Sequence, residues 1–263
     1  MRLLIHRDYD KLCKWIAAYI VKRVKDFGPK EGKPFVMGLP TGSSPLGIYR
    51  EFVRLNKEGK VSFADIVTFN MDEYVGLPAD HKESYYRFMT DNLFNSVDIP
   101  KSNYNILNGM AANLEKECKN YEEKIAKYGG IELFLGGIGE NGHIAFNEPG
   151  SSLVSRTRVK TLSMDTRLVN ARFFDNDVNK VPAKALTVGV GTVMDAREVI
   201  IIVSGPKKAR ALQAAVEGAV SHWCPLSCLQ MHPKAIIACD ESAAGELKAE
   251  TVKYFKDIEG KNI

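Results

Sequence analysis

The stretch GGIGENGHIAFNEPG, residues 136–150, follows the apolar run Ile131–Leu135 and carries glycines at 136, 137, 139 and 142. Closely spaced glycines let a backbone turn sharply and approach a ligand, because no Cβ intervenes. Pro149 and Gly150 close the segment. A polar, glycine-rich loop at the end of a buried strand is where open α/β proteins place their ligands. The stretch therefore predicts a strand over 131–135 and a binding loop after it.

Apolar runs of strand length recur on either side, at Arg2–His6, Phe35–Leu39, Ile66–Asn70, Ala185–Met194, Val199–Val203 and Ala235–Cys239. Between them lie segments with apolar residues at helical spacing. Asp8 can cap a helix to Phe27, with Gly28 as its stop, and further helices are expected from Pro45, over 83–94, 113–128, 209–220 and 247–258. Strands alternating with helices imply an α/β fold: a single doubly wound, mostly parallel sheet with helices on both faces. No linker or repeat divides the chain, so residues 1–263 read as one domain.

The 36 basic and 32 acidic residues give a net charge of +4, too small to imply nucleic acid but compatible with an anionic small molecule. Cys13, Cys118, Cys224, Cys228 and Cys239 form no C-x-x-C pair and read as reduced thiols of a cytoplasmic protein. The start MRLLIHRDYD has no apolar leader, and no aliphatic run is long enough to span a membrane.

Four junctions carry chemistry. Phe35–Leu39 runs into Pro40-Thr-Gly-Ser-Ser44 with Pro45 expected as the first helical residue. Small hydroxyl residues and a glycine before a helix suit an anion, because free N–H groups and the helix dipole point there; a plain helix cap is the alternative. Ile66–Asn70 runs into Met71-Asp-Glu-Tyr74. Of Asp72 and Glu73, only one would face a site if the strand continues, and that one could act as a base; a solvated turn is the alternative. In the loop, His143 can take and give a proton near neutrality, and Glu148 can stabilise its charged form. Arg172, beside Phe173 and Phe174, and Lys208, at a helix start, offer cations for a phosphate. Arg156, Arg158 and Lys160 would share one face of a strand over 155–162, either solvated or around an anion.

Two alternatives are excluded. Gly137-x-Gly139-x-x-Gly142 with Asp165 downstream matches a dinucleotide fingerprint, but the residues after it do not begin an amphipathic helix. No metal-ligand spacing is present. A phosphate handle, a carboxylate base and a histidine then point to cofactor-free proton transfer on a sugar phosphate.

The combination of LPTGSSP (39–45), VTFNMDEY (67–74), GHIAFNEP (142–149), SRTR (155–158), RFFDND (172–177) and LTVGVG (186–191) resembles the glucosamine-6-phosphate deaminases along essentially the whole chain. Their sister 6-phosphogluconolactonases, also Rossmann-like, share the G-H loop but lack this FNEP and the FNMDEY block. The resemblance implies a hydrolase of amino-sugar catabolism that converts glucosamine 6-phosphate and water to fructose 6-phosphate and ammonia without a cofactor. By position, His143 opens the sugar ring with Glu148 setting its charge. Asp72 takes the C2 proton. Thr41, Gly42, Ser43, Ser44, Gly137, Arg172 and Lys208 hold the substrate. Asn141, which replaces the aspartate of the best-known members, joins the catalytic set. Ser151, Arg158, Lys160, Thr161 and Tyr254 fall on the positions that bind N-acetylglucosamine 6-phosphate, an allosteric activator, in homohexameric members. A non-catalytic sugar-phosphate sensor on the same fold would not need Asp72, His143 and Glu148, and no helix-turn-helix is appended.

Overall fold

The computed structural model describes residues 1–263. In chain order it runs β1 (Arg2–His6), α1 (Tyr9–Phe27), β2 (Phe35–Leu39), α2 (Leu46–Lys57), β3 (Ile66–Asn70) and β4 (Asp72–Tyr74). Then follow α3 (Tyr85–Asn92), β5 (Tyr104–Asn105), α4 (Leu114–Lys127), β6 (Leu133–Gly137), β7 (Arg158–Thr161) and α5 (Met164–Asn170). The last part holds β8 (Lys184–Thr187), α6 (Val190–Met194), β9 (Val199–Val203), α7 (Ala209–Val216), β10 (Ala235–Asp240) and α8 (Ala249–Glu259).

Seven strands form one sheet in the order β1-β10-β9-β6-β2-β3-β5, and every pairing in it is parallel. Side chains alternate across it. Val199, Ile201 and Val203 join one apolar cluster with residues of α4, α7 and the segment before α8, while Ile200 and Ile202 join another with α1 and α2. A parallel sheet covered on both faces accounts for the continuous apolar runs in its strands. The expected α/β fold class is present.

A second sheet accompanies it: β4, β8 and β7 pair antiparallel, with Asp72 opposite Thr187 and Arg158 opposite the same residue on the other side. Ala185–Met194 is therefore not one strand. The chain leaves the sheet at Val188 and turns into α6, because Gly189 packs against the Ser155 carbonyl, which lies 1.9 Å from where a Cβ would stand. The Ser155 hydroxyl also accepts the Val190 N–H at 3.1 Å. Arg156 likewise leaves the face expected for it: it precedes β7 and pairs with Glu122 at 2.6 Å and Asp195 at 2.5 Å. The strand expected over 131–135 lies two residues later. It extends through Gly136, where a Cβ would meet Ile201 Cδ1 at 2.8 Å, so the glycine permits close strand packing. α7 ends at Val216 rather than 220, just short of Gly218, where a Cβ would stand 2.4 Å from the Ala214 carbonyl.

Candidate active site

Parallel strands end on one rim, so β9, β6, β2 and β3, adjacent in that order, deliver their following loops side by side. The chain winds outward from β2 through β3 to β5, returns to β6, and winds outward the other way through β9 and β10. The switch point thus lies between β2 and β6, the position where open α/β sheets bind ligands. Residues 40–45 and 138–150 flank it, with 71–74 beyond one and 204–208 beyond the other.

The 40–45 loop is held from behind. Tyr49 Oη donates to the Pro40 carbonyl, Tyr9 Oη donates to the Ser44 carbonyl at 2.9 Å, and Tyr9 Oη accepts the Gly47 N–H at 2.9 Å. Gly42 adopts φ +91°, which an L side chain would resist. α2 starts at Leu46, so Pro45 is the residue before the helix rather than its first. No side chain caps this helix, so Thr41, Ser43 and Ser44 make no capping hydrogen bond to it.

The two carboxylates after β3 part company as strand alternation requires. Glu73 accepts the N–H groups of Tyr74 at 2.8 Å, Tyr85 at 3.0 Å and Tyr86 at 2.9 Å, so it anchors the first turn of α3. Asp72 points the other way and is 7% exposed. Burial, reinforced by Glu73, pushes its carboxyl up to about 8. A charged carboxylate there lacks solvation, so it holds a proton strongly and accepts one readily when ionised.

His143, Asn141 and Glu148 form a relay within eight residues. Nδ1 of His143 lies 2.6 Å from Asn141 Oδ1, while Asn141 Nδ2 donates to Glu148 Oε2 at 2.8 Å. An amide oxygen only accepts, so Nδ1 carries the imidazole proton and Nε2 presents a free lone pair. Glu148, expected as the partner of His143, is farther from the ring, at 3.7 Å. It is buried and also accepts a hydrogen bond from Thr166 Oγ1 on α5, a partner no local pattern announces. Gly139 lies under the imidazole: its Cβ would meet the ring at 2.1 Å, so any side chain would displace His143. Burial lowers the imidazole pKa below its ordinary value; the charge of Glu148 opposes this and that of Lys208 adds to it. Burial thus favours the neutral imidazole.

Lys208 is half-buried in the turn after β9. Burial lowers its pKa first; Glu140 counters, and the Arg172 and Lys207 charges lower it further. Lys208 thus lies within reach of the charges of both His143 and Arg172. Two cations near each other are relieved by an anion between them. Arg172 is exposed, with its guanidinium 4.7 Å over the Phe173 ring. Gly137 ends β6 beside the Ile202 carbonyl, whose oxygen lies 3.9 Å from its Cβ position.

The five residues expected at the effector site are spread over separate elements. Arg158 and Lys160 lie half-buried on β7 beside α4, with Thr161 exposed at its end. Ser151 is buried with its hydroxyl unpartnered, whereas Tyr254 is exposed on α8, the helix against edge strand β1. All five cysteines are buried and unpaired.

Residues 7–238 match the family model described as glucosamine-6-phosphate isomerases/6-phosphogluconolactonase. The chain is 62% identical to a glucosamine-6-phosphate deaminase of Phocaeicola vulgatus, covering all of both chains. It is 57% identical to that of Borreliella afzelii, covering all of this chain and 98% of the relative. Among solved structures, a monomeric glucosamine-6-phosphate deaminase matches with TM-score 0.86 and 39% identity, over 94% of this chain and all of that one. A 6-phosphogluconolactonase from Trypanosoma cruzi shares the fold at TM-score 0.70 and 20% identity, over 94% of this chain and 97% of that one.

Proposed function

The chain belongs to the glucosamine-6-phosphate isomerase/6-phosphogluconolactonase family, and from that premise we infer that it is a glucosamine-6-phosphate deaminase. It converts D-glucosamine 6-phosphate and water to D-fructose 6-phosphate and ammonia. The observation that carries the deaminase reading over lactone hydrolysis is Asp72, a buried carboxyl of raised pKa on the rim that His143 shares. Abstraction of a carbon-bound proton needs such a base, and ester hydrolysis does not.

In this reading the phosphate sits between the 41–44 loop and the two cations Arg172 and Lys208, with Gly137 leaving room for the sugar. His143 Nε2 takes the O1 proton and returns it to O5, which opens the ring and exposes the C1 aldehyde. That carbonyl acidifies C2. Asp72 removes the C2 proton while O1 gains one given up by the C2 ammonium, which yields the enolamine; Asp72 then returns its proton to C1, leaving an iminium at C2. Water adds there, and the C–N bond breaks to release ammonia and the ketose. Asn141 fixes the imidazole tautomer, and Glu148 supplies the negative charge that stabilises imidazolium in passing.

Purified protein is expected to release ammonia and fructose 6-phosphate in equal amounts and to leave 6-phosphogluconolactone untouched. Tight binding of the sugar phosphate without turnover would instead establish a sensor.

Asn141 makes a specific prediction. An aspartate at 141 would place a second carboxylate oxygen about 2.8 Å from Glu148 and against His143 Nδ1. Added negative charge favours imidazolium, so Asn141→Asp should raise the His143 pKa by on the order of one unit or more. An NMR titration of the ring would show it, and kcat/KM, already falling below about pH 8 with protonation of Asp72, should fall more steeply at lower pH as the imidazole is protonated too. Unchanged values in both would remove Asn141 from the relay.

Ser151, Arg158, Lys160, Thr161 and Tyr254 form an effector site only if a second copy brings Tyr254 to β7, as in a homohexamer. Arg158 and Lys160, two residues apart on one strand face, suit an anionic phosphosugar. Sigmoidal substrate kinetics made hyperbolic by N-acetylglucosamine 6-phosphate, in a hexamer by mass, is the expected result. A monomer with hyperbolic kinetics indifferent to that compound would rule the site out.

A further inference from the structure

We propose that Asp240, at the rim end of β10, is a positioning residue for the phosphate-gripping lysine of the neighbouring strand, acting through the Ser204–Gly205 turn. The inference rests on Lys208 holding the substrate phosphate, as proposed above.

β10 and β9 run parallel with Cys239 opposite Val203, so the next residue of each strand, Asp240 and Ser204, emerge side by side. The Asp240 carboxylate is 4% exposed and accepts five hydrogen bonds. Oδ1 takes Ser242 Oγ at 2.6 Å, the Ala243 N–H at 2.8 Å and the Gly205 N–H at 3.2 Å. Oδ2 takes Ser204 Oγ and shares the Gly205 N–H at 3.2 Å. Gly205 is thereby held at φ +90°, and its carbonyl accepts the Lys208 N–H at 3.1 Å. The carboxylate thus sets the turn, and the turn sets the backbone from which Lys208 reaches the site.

A carboxylate accepts from all four partner groups at once, and two of them, the Gly205 and Ala243 N–H groups, can only donate. Asparagine keeps the shape but loses the charge, sets an N–H beside the Gly205 N–H it should receive, and makes the Ser204 hydroxyl turn round to accept. The buried carboxylate is not used by the proton-transfer steps, and it touches no reacting atom. Burial opposes its charge, and the four donor groups outweigh burial, holding the carboxyl below its ordinary range.

The test compares Asp240→Asn, Ser204→Ala and Lys208→Ala in the full-length protein. Asp240→Asn should raise KM for glucosamine 6-phosphate and Ki for inorganic phosphate on the order of tenfold, with kcat changed less than about threefold. Ser204→Ala, which removes one donor and leaves the carboxylate, should shift both constants the same way but less. In the double variant with Lys208→Ala, Asp240→Asn should add almost nothing to Ki, because it acts through that lysine. Glu198→Gln, at the far end of β9 where Glu198 binds Arg23 at 2.7 Å, controls for lost stability and should leave Ki alone. If Lys208→Ala raises the phosphate Ki but Asp240→Asn and Ser204→Ala leave it unchanged, the positioning role is wrong and the Lys208 assignment stands. If Lys208→Ala leaves Ki unchanged, the Lys208 assignment itself is wrong.

Discussion

Replacing Asp72 with asparagine is expected to lower kcat by about 10²–10⁴-fold while KM stays nearly constant, because a positioned base is lost and the phosphate grip is not. The same change should stabilise the fold. Burial and Glu73 raise the Asp72 pKa to about 8, well above an unfolded aspartate near 3.9. A raised folded-state value means that the wild type is favoured by this group below about pH 4. That contribution is lost progressively as pH rises to about 8, at on the order of 1.4 kcal/mol per unit before relaxation and water entry reduce it. Melting curves of the two proteins should therefore diverge in favour of Asp72→Asn between about pH 4 and 8 and run parallel above. Wild-type kcat/KM should climb over the upper part of that window, as the free protein's base ionises. A variant that loses activity and stability together would show instead that Asp72 holds the structure.

His143→Gln should cost a comparable 10²–10⁴-fold in kcat with glucosamine 6-phosphate. Glutamine can occupy the space over Gly139 and accept a hydrogen bond, but it cannot shuttle a proton from O1 to O5. The deficit should be specific to ring opening. A chain-shortened amino-aldehyde phosphate that cannot cyclise should be processed by His143→Gln within a few-fold of wild type, whereas Asp72→Asn should remain inactive on it. Equal losses on cyclic and acyclic substrates would move His143 from ring opening to a later step.

The parallel core was legible because its strands are buried on both faces and read as unbroken apolar runs. Arg2–His6, Phe35–Leu39, Ile66–Asn70 and Val199–Val203 match their sequence readings residue for residue. The antiparallel sheet was not, since β4 and β7 are short and polar and find their partner β8 about 110 and 23 residues away along the chain. ALTVGVGTVM reads as one strand until Gly189 meets the Ser155 carbonyl, a contact made by tertiary structure alone.

The candidate site divides the same way. His143 and Glu148 are close in sequence and could be paired from the loop itself, whereas Asn141 joined them only through the family resemblance. Asn141 as the direct partner of His143 Nδ1, rather than Glu148, depends on the loop geometry around Ala145, whose φ is +50°. Strand alternation separates Asp72 from Glu73, but that Glu73 anchors α3 follows only from the packing of that helix. Thr166 and Asp240 lie far along the chain from the groups they hold, so nothing in their own neighbourhoods marks them.

On the proposed mechanism a proton leaves C2 and one is delivered to C1 before ammonia departs. Glucosamine 6-phosphate bearing deuterium at C2, turned over in deuterium oxide and followed by NMR, tests it most directly. The prediction is fructose 6-phosphate with one deuterium at C1 for each ammonia released, and slowed removal of the C2 hydrogen relative to protiated substrate. Ammonia released with deuterium still on C2, in an aldose product, would contradict it.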